Sequence, residues 1–96
     1  MPAMHFYVTW PDGSEERCYS PSTVITEFLK PGAAYTVAEF FALSEKALLE
    51  ASNRVQKKYG FHCSSAMDQL AQIQEKAGFF QDEPGLCVTV TKIIPA

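Results

Sequence analysis

The stretch Tyr59-Gly60-Phe61-His62-Cys63-Ser64 brings a glycine, an imidazole, a thiol and a hydroxyl together, and it is the first place to look for a chemical site. It joins two segments that both read as amphipathic helices. A thiol at the start of a helix meets partial positive charge, which favours thiolate. Cys63 is therefore a candidate nucleophile, expected to be more acidic than Cys18 or Cys87, which fall on strands. His62 adjoins it, but neighbouring side chains in an extended turn diverge, and a Cys–His pair needs hydrogen-bond reach. The competing reading is plainer: a lone cysteine beside apolar helix formers is commonly a small buried hydrophobe.

Arg17, Tyr19 and Arg54 are candidates for holding an anion or a polar ligand. Arg17 and Tyr19 share one face of a strand. Arg54 lies on the flank of the longest helix, one residue from Val55. A guanidinium there can grip a carboxylate bidentately, cap helix carbonyls or form a structural ion pair, and the ion pair is the expected role. With the junction residues, the candidate ligand-binding set is Arg17, Tyr19, Arg54, Tyr59, His62, Cys63 and Ser64. His5, His62 and the cysteines show no CxxC or HxxxH spacing, so neither a metal site nor a cofactor is expected. Asp12 belongs to a turn, and the remaining carboxylates are scattered. There is no glycine-rich phosphate loop, no GxSxG elbow and no paired-carboxylate spacing. Nothing fixes a reaction, and the balance is against an enzyme.

The elements that would position these groups follow from periodicity. Met4, Phe6, Val8 and Trp10 alternate with His5, Tyr7 and Thr9, the pattern of a strand with one buried face. Pro11-Asp12-Gly13-Ser14 is a turn, and residues 15–19 return as a second strand. Ser20-Pro21 opens a short helix with the stripe Val24, Ile25, Phe28 and Leu29, and Pro31-Gly32 ends it. Thr36-Val37-Ala38-Glu39 is a capping box starting a helix over 37–59, stopped by Gly60. Ser64 or Ser65 caps a third helix to about residue 80, and residues 86–94 form a last strand. The expected fold is α+β in the order β-β-α-α-α-β. Its sheet is three-stranded, in the order 2-1-3, with helices on one face and an open face carrying His5, Tyr7, Thr9, Thr89 and Thr91. The expected core is Phe6, Val8, Trp10, Phe41, Leu48, Val55, Leu70, Ile73, Val88 and Val90.

Size and composition bound the function. The 96 residues make one domain, residues 1–96, with enough apolar content (47%) to fold without metal or disulfides. A net charge of −3, with Arg54-Lys57-Lys58 as the dense basic cluster, argues against nucleic acid. No apolar run suits a membrane span and MPAMHFYVTW lacks the layout of a signal peptide. Three widely spaced cysteines read as reduced thiols, which gives an expected cytoplasmic location.

The phrases Trp10-Pro11-Asp12-Gly13-Ser14, Cys18-Tyr19-Ser20-Pro21-Ser22, Ala51-Ser52-Asn53-Arg54-Val55, Lys58-Tyr59-Gly60 and Cys63-Ser64 together resemble a family of very small bacterial nitrogen-starvation response proteins. The resemblance runs almost end to end. It implies a bacterial cytoplasmic setting and gene clusters shared with a nitrilase, a radical-SAM protein, an acetyltransferase-like protein and a flavin-dependent oxidoreductase. It assigns no activity. Two functions follow as expectations: an accessory protein binding a partner from a nitrilase-containing pathway or a second copy of itself, or a small-molecule binder or minor enzyme built on the Cys63 junction.

Overall fold

Alternation produces the first hairpin. β1 (Met4–Thr9) buries Met4, Phe6 and Val8 and leaves His5, Tyr7 and Thr9 half-exposed, and Trp10 continues the buried row. It pairs antiparallel with β2 (Glu15–Ser20), with Phe6 opposite Cys18 and Tyr7 opposite Arg17. The computed structural model describes residues 3–60, 64–80, 83 and 85–96.

The turn closes because Gly13 takes φ +87, a conformation that costs glycine little. Asp12 then fixes it: its Oδ1 accepts from the Ser14 amide (3.0 Å) and the Ser14 hydroxyl (2.6 Å), and its Oδ2 accepts from Lys76 Nζ (3.4 Å). The Ser14 bonds, helped by the Lys76 charge, hold the Asp12 carboxyl below its ordinary value. A depressed folded-state pKa adds stability above the unfolded value, and that stability is lost as pH falls through the folded one. We expect Asp12→Asn to lower the urea midpoint at neutral pH, and the gap from wild type to close as pH falls through and below the ordinary carboxylate range. A gap unchanged across that range would contradict the assignment.

The segment after β2 departs from expectation. Ser20 does not cap a helix. It is the last residue of β2, and its hydroxyl donates to the Ser22 carbonyl (2.8 Å) inside the core. The helix, α1 (Ile25–Phe28), is a single turn that starts beyond a bend and has no side-chain cap. Its stripe holds: Val24, Ile25 and Leu29 are buried and Phe28 is half-buried.

The larger correction is to the sheet, which has four strands rather than three. β3 (Ala34–Thr36) pairs antiparallel with β4 (Cys87–Pro95), Tyr35 opposite Val88. Gly32, at φ +83, turns the chain so that its amide donates to Val90 O (2.7 Å) while Val90 N donates to Ala33 O (2.9 Å). β4 also pairs antiparallel with β1, so the order is β2-β1-β4-β3. The expected 2-1-3 arrangement is its core, extended by one short edge strand.

β3 runs straight into α2 (Val37–Tyr59) through the capping box: Thr36 Oγ1 accepts from Glu39 N (3.2 Å), and Glu39 Oε1 accepts from Thr36 N (3.3 Å). Gly60, left-handed at φ 82, closes the far end by donating to Gln56 O (2.7 Å). α3 (Ser64–Gly78) already contains Ser64 and Ser65, the two serines expected to cap it. α2 and α3 pack together over one sheet face, and α3 lies against β2. Of the expected core, Phe6, Val8, Trp10, Leu48, Ile73, Val88 and Val90 are buried. Phe41 and Leu70 pack half-exposed at its margin, and Val55 is half-buried. Phe40 takes a central place instead, meeting Trp10 edge-on at 5.4 Å between ring centroids.

Candidate functional site

The uncovered sheet face gathers more chemistry than any other described surface. β2 contributes Arg17 and Tyr19, β1 contributes His5 and Tyr7, and β4 contributes Lys92 and Ile94. Cross-strand pairing sets them in two rows: Arg17, Tyr7, Lys92, and beside it Tyr19, His5, Ile94. Lys92 Nζ sits 4.5 Å from the centroid of the Tyr7 ring, within range of cation–π attraction. His5 and Tyr19 meet edge-on, with ring centroids 6.0 Å apart.

A β-bulge makes this arrangement possible. The β1–β4 register shifts between Tyr7 and Val8, leaving Thr91 without an opposite number. Thr91 Oγ1 donates to Tyr7 O (3.1 Å), which pins the extra residue. Strict alternation along Val88-Thr89-Val90 would send Lys92 into the core and Ile93 outward. The bulge reverses both: Lys92 faces Tyr7 on the open side, and Ile93 packs against the core opposite Phe6. Tyr7, Glu15, Thr91 and Lys92 then border a shallow hollow of about 390 Å³.

The sequence candidates fall into three groups. Arg17 and Tyr19 share this open face, as their spacing on β2 requires. Arg54 stays in the helical layer, where its Nη2 meets Glu50 Oε1 at 3.1 Å and Glu27 Oε2 at 3.8 Å. That is an ion pair clamping α1 to α2. His62, Cys63 and the side chain of Tyr59 lie outside the described residues, and Ser64 is the exposed first residue of α3. Neither Arg54 nor Ser64 lines this hollow. Sequence reasoning missed Lys92 and Ile94, because their orientation depends on the bulge.

The described thiols differ sharply. Cys18 is buried on the core face of β2, with Sγ 3.4 Å from Glu16 Oε2. Burial first, and the Glu16 carboxylate second, push its pKa far up, so it stays a thiol. Cys87 is exposed at the start of β4. Among the described residues, no group of three or more His, Cys, Asp and Glu side chains converges as a metal site would require. No helix among them is long and apolar enough to cross a membrane.

The molecule is thus a small α+β protein with a four-stranded antiparallel sheet, helices on one face and, on the other, an aromatic surface that carries Arg17, Lys92 and Glu15. A model of the family described as nitrogen starvation-induced protein NitG matches residues 5–93, and the chain belongs to that family. No curated protein and no solved structure matches it significantly.

Proposed function

We propose that this protein is an accessory protein of the nitrogen-starvation response that docks, in the cytoplasm, on an enzyme of a nitrilase-containing pathway through its open sheet face. The observation that carries the reading is the row Arg17, Tyr7, Lys92 beside Tyr19 and His5. Aromatic rings and arginine are the groups that protein interfaces favour, and Arg17 and Lys92, which outnumber Glu15 on this face, suit a partner with an acidic surface. A face that is polar at its rim and ring-lined at its centre is better matched to a partner than to bare solvent.

The sheet edges support the face over strand addition. Gln69, reaching from α3, accepts the outward Tyr19 amide at 2.9 Å and blunts the β2 edge. β3, the opposite edge, is only three residues long.

The test is capture from nitrogen-starved cells with wild type and with Arg17→Glu/Lys92→Glu as baits. The reading requires a pathway enzyme that co-purifies with wild type in low salt and is lost with the charge-reversed bait, while the thermal melt is unchanged. Equal recovery by both baits would sink it. So would sedimentation showing that the face is occupied by a second copy of the chain.

A further inference from the structure

We propose that a second hollow, between the first turn of α2 and the end of α3, binds a small amine with an aromatic or short aliphatic body. This cavity of about 310 Å³ lies in the helical layer, and none of its lining residues belongs to the open sheet face. Its walls are Val37 and Phe41 from α2 and Ala77 and Phe80 from the end of α3, and its polar lining residues are Gln74 and Glu83, both exposed to solvent. Apolar walls with a few convergent polar groups are the usual make-up of a small-molecule site, and a cavity of about 150 Å³ already holds benzene. This one has room for a ring with a short polar arm.

Charge selects the class of ligand. Among the described residues, Glu83 is the one charged residue on the lining, and no ion pair engages its carboxylate. Its backbone is fixed at the cavity mouth: its amide donates to Phe80 O (3.0 Å), and its carbonyl accepts from Leu86 N (3.1 Å). The start of α2 would by itself attract an anion. That place is already filled by the chain's own Glu39, whose carboxylate accepts from Thr36 N, while the Val37 amide donates to Leu86 O (3.2 Å). What remains open is an apolar slot with two exposed polar residues, Glu83 and Gln74, on its lining, and the negative charge of Glu83 suits an ammonium carried on an apolar body.

The structure supplies its own reporter. Trp10, the sole tryptophan, stacks on Phe80 at 6.1 Å with the ring planes 12° apart, so filling the hollow changes the environment one ring away. It also supplies a plug. A Cβ added at Gly78, an exposed residue of the lining, meets nothing within 4 Å, so Gly78→Leu places a bulky side chain at the hollow without a backbone clash.

The probe is benzylamine, titrated against the full chain and read by Trp10 fluorescence and amide shifts, with benzoate as the opposite-charge control. We expect saturable binding with shifts at Ala38, Phe41, Ala77 and Gly78. Benzoate should bind about 10-fold more weakly, and Glu83→Gln should weaken benzylamine about 3-fold, the scale of one exposed charge pair. Gly78→Leu should abolish saturation while melting like wild type. If it does not fold, Ala38→Trp plugs the same hollow from the exposed start of α2. Absence of saturation at millimolar benzylamine, equal binding of benzoate, or binding that survives a folded plug variant would each overturn the proposal. So would a dimer that the plug dissociates, since the hollow would then take a neighbour's Phe79, whose ring is 70% exposed beside it.

Discussion

Phe40→Ala is expected to lower the unfolding free energy by about 3–5 kcal/mol, the cost of removing a fully buried ring and leaving a cavity. Phe40 is wholly buried on α2 and meets Trp10 edge-on, so the change removes both burial and an aromatic pair. A domain of this size has about 5–15 kcal/mol in all, so the variant should sit close to unfolding. Phe79→Ala, at an exposed ring, should stay within about 0.5 kcal/mol. Urea melts of the two variants make the comparison, and similar midpoints would show that Phe40 is misplaced.

The second large effect concerns thiol access. Brief treatment with iodoacetamide should label Cys87 and leave Cys18 untouched, with rates about 10³-fold apart or more, because Cys18 reacts only when the core opens. Its raised pKa compounds the protection by keeping the sulfur protonated. Peptide mapping by mass spectrometry measures both sites in one sample. Labelling of Cys18 at a rate near that of Cys87 would mean that β2 detaches from the core far more readily than its pairing with β1 allows.

Where one rule governed a segment, the sequence was sufficient. The period of two in residues 4–10 placed β1 and its buried face, and the Thr36 capping box and Gly60 bracketed α2. It failed where the decision is tertiary. Ala34-Tyr35-Thr36 is too short to show a period, and it is a strand only because β4 lies alongside. Thr91 looks like any alternating residue, and its bulge exists because the core accepts Ile93 in preference to Lys92. That same choice assembled half of the open face, which is why Arg17 and Tyr19 were legible from β2 alone and Lys92 and Ile94 were not. Arg54 had several plausible partners by sequence, and Glu27, folded back by α1, settled its place as an ion pair.

The pairing of β1 with β4 has a consequence for how the chain is made. These two strands lie side by side at the centre of the sheet, yet almost the whole chain separates them, and Ala96 N still donates to Ala3 O at 2.9 Å. A growing polypeptide can form the first hairpin early, but the hairpin's inner strand then waits, with Phe6 and Val8 bare, until residues 87–95 leave the ribosome. Closing so long a loop is slow, and it leaves no smaller stable unit on the way. Nascent chains stalled before β4 should therefore be prey for chaperones and proteases.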